Sequence, residues 1–121
     1  MGTFTVRVAL PDGSDIEALV DTGATFSKLP SGVLRRLGVP SDFETTVELG
    51  DGRLIRRKVG YVRLGLGRRR APVPVMFGGS REEPLVGATT LEILGFRPDP
   101  VRLRLVEARH LEISERRAPR R

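Results

Sequence analysis

The stretch Ala18-Leu19-Val20-Asp21-Thr22-Gly23-Ala24-Thr25 decides how the rest of this 121-residue chain is read. An apolar run ends on a carboxylate and passes into a turn of small residues. An unpaired charge at the rim of a core costs roughly several kcal/mol, so Asp21 needs a reason to be there. One reason is a turn in which Asp21 accepts backbone hydrogen bonds, as Asp12 would in Pro11-Asp12-Gly13-Ser14. The other is chemistry at the carboxylate. The apolar residues before Asp21, with Ala24-Thr25 after it, favour the second.

Working outward, residues 3–10 alternate Phe4, Val6, Val8 and Leu10 with Thr5, Arg7 and Ala9, the period of a half-buried strand. Asp12-Gly13 turns the chain, and residues 16–20 return as a strand that delivers Asp21. Residues 26–29 read as extended. Residues 30–37 read as a short helix with Ser31 as cap, closed by Gly38 and Pro40. Residues 45–49 and 53–59 flank Asp51-Gly52, a second hairpin, and the return strand continues to Leu66. The triplet Arg68-Arg69-Arg70 reads as a solvated turn. Residues 71–77 read as an edge or irregular strand because of Pro72 and Pro74. After Leu85-Val86-Gly87 comes a helix in which Thr89 and Glu92 have capping-box spacing and Gly95 is the stop. Pro98-Asp99-Pro100 is a turn, and residues 101–113 hold further strand pattern. Many short strands with frequent turns predict a mostly β domain over residues 1–113, followed by a flexible basic tail, 114–121.

The totals restrict the function. At 39% hydrophobic and 30% charged residues the chain reads as one soluble globular domain. It has no cysteine, which excludes disulfides and thiolate metal sites and is compatible with a reducing cytoplasm. No apolar run reaches the roughly 20 residues of a membrane span, and residues 1–10 lack the pattern of a signal peptide, so no membrane partner and a cytoplasmic location are expected. The net charge of +6 raises the question of an acidic partner. However, its arginines are spread along the chain, and one Tyr with no Trp is poor provision for stacking bases. Nucleic acid is therefore not an expected partner. The single His110 has no evident catalytic or metal-binding companions, and Gly65-Leu66-Gly67 and Gly78-Gly79-Ser80 do not make a phosphate loop.

The hydrophobic-Asp-Thr-Gly-Ala motif at residues 20–24 resembles the active-site signature of aspartic proteases. Leu85-Val86-Gly87 and the helix after it resemble the second signature of the retropepsin-like members. In that family the hydrophobic-hydrophobic-Gly strand passes beside the catalytic strand and supports it. The closing phrase Gly95-Phe96-Arg97-Pro98-Asp99-Pro100 looks like that of small bacterial and archaeal members. The resemblance spans most of residues 4–106 in the right order. Two positions depart from the viral pattern: Thr25 stands where an acid often follows Asp-Thr-Gly-Ala, and Ala88 stands where Arg or Asn often follows the second glycine.

This resemblance implies a closed β barrel or sandwich with one or two short helices. It implies Asp21 as the catalytic residue, within an active-site loop of Thr22, Gly23, Ala24 and Thr25. It also implies a hairpin flap carrying Leu49, Gly50, Asp51, Gly52 and Arg53 at its tip, with no metal and no cofactor. Aspartic protease chemistry needs two carboxylates around one water, and the chain holds one Asp-Thr-Gly. A single lobe must then pair with a second copy in a C2 homodimer, with Asp21 at the axis and Thr22 bracing the loops across it. The expected activity is endopeptidic hydrolysis of extended peptides. A catalytically silent dimerisation or peptide-binding module of the same fold is the alternative, and a basic nucleic-acid-binding β domain comes third.

Overall fold

The structure is a computed structural model and describes residues 3–108. Strand β1 (Thr5–Ala9) pairs antiparallel with β2 (Asp15–Val20), from Thr5 opposite Leu19 to Ala9 opposite Asp15. After the Asp21 loop comes β3 (Ser27–Pro30), then helix α1 (Ser31–Arg36). Strands β4 (Phe43–Glu48) and β5 (Leu54–Leu66) form a hairpin, and β6 (Arg69–Gly78) pairs antiparallel with β5. The two-residue strand β7 (Leu85–Val86) leads into α2 (Ala88–Leu94), and β8 (Phe96–Asp99) with β9 (Arg104–Glu107) makes a separate ribbon.

The main sheet has seven strands in the order β1-β2-β7-β3-β6-β5-β4, and a bridge between Ala9 and Gly65 also joins β1 to β5. The protein is thus mostly β with short helices, as its alternation predicts. Alternate residues of β1, β2 and β5 (Val8, Ala18, Val20, Val62, Leu64) meet Leu29, Leu34, Val73, Val75, Val86, Leu91 and Leu94 in one core. Burying each large aliphatic side chain contributes about 1.5–3 kcal/mol. Among the described residues no helix is long and apolar enough to cross a membrane.

Five sequence expectations need correction. The prolines do not send β6 to an edge; the strand lies between β5 and β3. Its pairing with β3 begins only at Val75, opposite Ser27, so Pro72 and Pro74 lie where β6 is paired on the β5 side alone. There a missing N–H costs no ladder bond. Arg69 and Arg70 belong to β6, and Arg69 is not simply solvated. It donates to Leu94 O at 2.9 Å, lies 5.4 Å over the Phe96 ring and pairs with Glu107 at 3.3 Å. The guanidinium thus serves the carbonyl end of α2, where a cation is favoured.

Neither helix is capped as its sequence suggests. Helix α1 starts one residue later than expected, with Pro30 rather than Ser31 at the cap and no side-chain cap bond. Helix α2 begins after Gly87, so Thr89 lies inside it and the capping box does not form. Its first amides find partners elsewhere, in the Asp21 loop described below. The chain turns at residues 100–103 rather than over Pro98-Asp99-Pro100, because Pro98 and Asp99 end β8 opposite Leu105 and Arg104. The remainder of the expected strand pattern past residue 108, His110 and the basic tail 114–121 lie outside the described residues.

Candidate active site

Strand β2 ends at Val20 because its partner β7 also ends there. The two run parallel, with Leu19 beside Leu85 and Val20 beside Val86. The Asp21 N–H donates to Val86 O at 3.0 Å, which ties the first loop residue to the end of β7. The loop then turns tightly, with the Ala24 N–H donating to Asp21 O at 3.1 Å. The carboxylate is partly buried. Its Oδ1 accepts the Gly23 N–H at 3.0 Å. A Cβ at Gly23 would come within 3.3 Å of that same oxygen, so glycine permits the close approach of amide and carboxylate. Among the described residues nothing donates to Oδ2, and no cation lies within 4 Å of the group.

Beneath the loop lies α2, whose start has no side-chain cap and is served by the loop's backbone instead. Ala88 N–H donates to Ala24 O at 2.8 Å and Thr89 N–H to Thr25 O at 3.0 Å. The loop's carbonyls therefore satisfy amides that every helix leaves without internal partners. Gly87 N–H donates to Ser27 Oγ at 3.1 Å, and that oxygen is 2.6 Å from Thr90 Oγ1. Both hydroxyls are buried. A Cβ at Gly87 would meet Phe26 C and O at 2.6 Å and Ala24 O at 2.8 Å, contacts with backbone that cannot give way. Leu85-Val86-Gly87 thus lies beside the Asp21 strand and under its loop.

The loop separates two recesses. Asp21 and Thr22 line one of about 400 Å³ with Thr3, Phe4, Val20, Pro98 and Pro100. Gly23, Ala24, Thr25 and Phe26 line a cleft of about 460 Å³, whose other wall is Thr45, Thr46, Val47 and Glu48 of β4, with Met76. Phe26 meets Phe43 edge to face at 6.1 Å between centroids, which sets the loop against the hairpin. The hairpin tip is closed by Leu49 N–H to Arg53 O at 2.8 Å and by Asp51 Oδ1 accepting the Arg53 N–H at 3.0 Å. Leu49, Gly50, Asp51, Gly52 and Arg53 do not line the cleft; the wall is the strand before them. Thr22 and Thr25 are exposed, and Tyr61, on β5, stays about half exposed away from the cleft.

Ser27 and Thr90 escaped the sequence reading, although a signal existed. Each is a hydroxyl at a core position, Ser27 on the buried face of β3 with Leu29 and Thr90 on the buried face of α2 with Leu91 and Leu94. Among the described residues no group of three or more His, Cys, Asp or Glu is placed to hold a metal ion. A family model for aspartyl proteases matches residues 4–90, from β1 into α2, and so contains the Asp21 loop, the hairpin and Gly87. The chain belongs to the aspartyl protease family, in its retropepsin-like form. No curated protein sequence matches it.

Proposed function

We propose that the protein is an aspartic endopeptidase acting as a C2 homodimer, its site completed when two Asp21 carboxylates meet at the axis. The observation that carries this reading is the state of the Asp21 carboxylate. One oxygen is held by Gly23 N–H, and the other has no donor among the described residues. It stands beside a cleft bounded by an exposed strand.

Two carboxylates a few Å apart disfavour double ionisation, so the pair holds one proton between them. The ionised member takes a proton from a shared water as the water oxygen attacks the peptide carbonyl carbon. The protonated member hydrogen-bonds the carbonyl oxygen as charge develops, and a proton then passes to the leaving nitrogen as the C–N bond breaks. Gly23 N–H keeps each carboxylate in the plane its neighbour needs. Thr22, exposed at the loop crest, is the residue to bridge the two loops. Strand β4 has a free edge in the sheet order, and an extended peptide would lie along it in the manner of strand addition. The Ala9–Gly65 bridge supports the expected barrel-like closure of each lobe. A cytoplasmic setting belongs to the same reading, supported by the absence of cysteine.

The decisive experiment compares wild type with Asp21→Asn on a library of extended peptides. Loss of cleavage with retained dimer mass supports the dyad, and cleavage surviving in the variant overturns it. Peptide binding without cleavage in either form would identify a silent binding module instead. Assembly should also depend on pH. A proton shared across the axis favours the dimer where one proton is bound and weakens it as rising pH ionises both groups. Sedimentation across a pH series reads this directly, and a dimer that tightens toward alkaline pH contradicts a shared proton.

A further inference from the structure

Beneath the hairpin lies a charged cluster that the catalytic reading does not use. Arg57, on β5 opposite Thr45, belongs to the face of the hairpin that turns inward, and its side chain is only 17% exposed. Its Nη2 donates to Glu82 Oε2, and its Nη1 donates to Phe77 O at 3.3 Å. Its Nε is fully buried without a partner among the described residues. Glu82 sits in the loop between β6 and β7, three residues before Leu85. Its other oxygen accepts the Gly79 N–H at 2.9 Å and stands 3.6 Å from Lys28 Nζ of β3. One carboxylate thus ties together the hairpin, the end of β6, and the strand that leaves the Asp21 loop.

We propose that Glu82, through Arg57, is a positioning residue that fixes the root of the β4–β5 hairpin on the end of β6 and on β3, the strand that leaves the Asp21 loop. The geometry gives the pair this task for three reasons. The hairpin leaves the sheet as its last two strands, so beyond the β5–β6 ladder it has few anchors. The ladder itself reaches only to Val59 opposite Met76, and Arg57 lies just past that limit. Glu82 is held independently by Gly79 and Lys28, so it is a fixed point rather than a second loose end. Leaving Nε buried without a partner is a cost, accepted where the other guanidinium nitrogens make charge-assisted bonds. The cleft wall at residues 45–48 is the strand that Arg57 backs. The consequence for catalysis rests on the aspartic protease reading; the consequence for the hairpin does not.

The test uses amide hydrogen exchange on the full chain, which needs no activity. Arg57→Met and Glu82→Gln should each speed exchange of the amides at residues 44–56 by about tenfold or more, as expected when a charged hydrogen bond is lost. The β1–β2 ladder should be unchanged. Arg57→Lys, which keeps the charge but loses the second contact, should fall between these and wild type. Lys28→Met removes one of the two holds on Glu82 but leaves the Gly79 bond and the Arg57 contact in place, so it should loosen the hairpin less than either Arg57→Met or Glu82→Gln. If Arg57→Met and Glu82→Gln leave the hairpin as protected as before, or Lys28→Met loosens it equally, the assignment is overturned. In active protein, Glu82→Gln should raise KM for long peptides about tenfold with kcat nearly kept, because more order must be imposed on binding. A fall in kcat alone contradicts it. If wild type cleaves no peptide, the catalytic reading falls while the exchange results still decide the latch.

Discussion

Four aspartates of this protein make the same turn, and only Asp21 stands on the loop between the two recesses. Asp12, Asp21, Asp51 and Asp99 each accept the N–H of the residue two positions on, all at 3.0 Å. Beyond that bond they diverge. Asp12 meets Arg36, Asp51 takes Arg53 Nε at 2.8 Å, and Asp99 has Arg102 at 3.7 Å. These three titrate below the usual carboxylate range. For Asp12 the main cause is the Ser14 hydroxyl, which brings it to about 2; for Asp51 it is the Arg53 N–H, and for Asp99 the Arg102 N–H. Among the described residues Asp21 has the turn bond without the cation. The turn is therefore no sign of function. What separates Asp21 from its three counterparts is an oxygen left available and a loop supported from below.

The comparison can be broken most sharply by removing charge at each turn. Asp21→Asn should lower peptide cleavage by at least about a thousandfold, while Asp51→Asn and Asp99→Asn change it by less than about tenfold. Equal losses in steady-state assays would show that the turns share a merely structural role. Support from below is tested next. Gly87→Ala drives a methyl group into the Phe26 backbone and should cost about 3 kcal/mol in urea unfolding, with a further drop in activity as the loop shifts. Ser27→Ala leaves Gly87 N–H and the Thr90 hydroxyl buried without their shared partner. About 1–3 kcal/mol of stability should go with it, read from the same unfolding curves.

The smallest effect separates Asp12. Its native value near 2 lies below the ordinary 3.8, so it contributes stability above that ordinary value. The contribution fades as pH falls toward 2. Melting temperatures of Asp12→Asn and wild type should therefore converge in strong acid and separate slightly near neutrality. A gap that widens on acidification would reverse the sign.

Much of this arrangement was readable in the chain. Val20-Asp21-Thr22-Gly23 and Leu85-Val86-Gly87 signalled their positions because a strand ending on a charge and a glycine after an apolar pair are local patterns. The cap of α2 is not legible locally, because its first amides bond to carbonyls more than sixty residues earlier in the chain. Ser27 shows in the sequence only as a hydroxyl at a core position, since its role depends on the distant Thr90 and Gly87. Pro72 and Pro74 gave the right constraint and the wrong place, because β6 is an edge for part of its length only. The hairpin was found from Asp51-Gly52. Its strand, rather than its tip, borders the cleft, which no turn motif could reveal.

The join between loop and helix has a practical use. The amide protons of Gly87, Ala88 and Thr89 all point to acceptors that follow Asp21 within the same short segment: Ser27 Oγ, Ala24 O and Thr25 O. Amide-proton resonances are sensitive to the length of the bonds they make. Those neighbouring signals form a built-in gauge of the loop's posture, readable in a spectrum of the free protein without substrate, inhibitor or label.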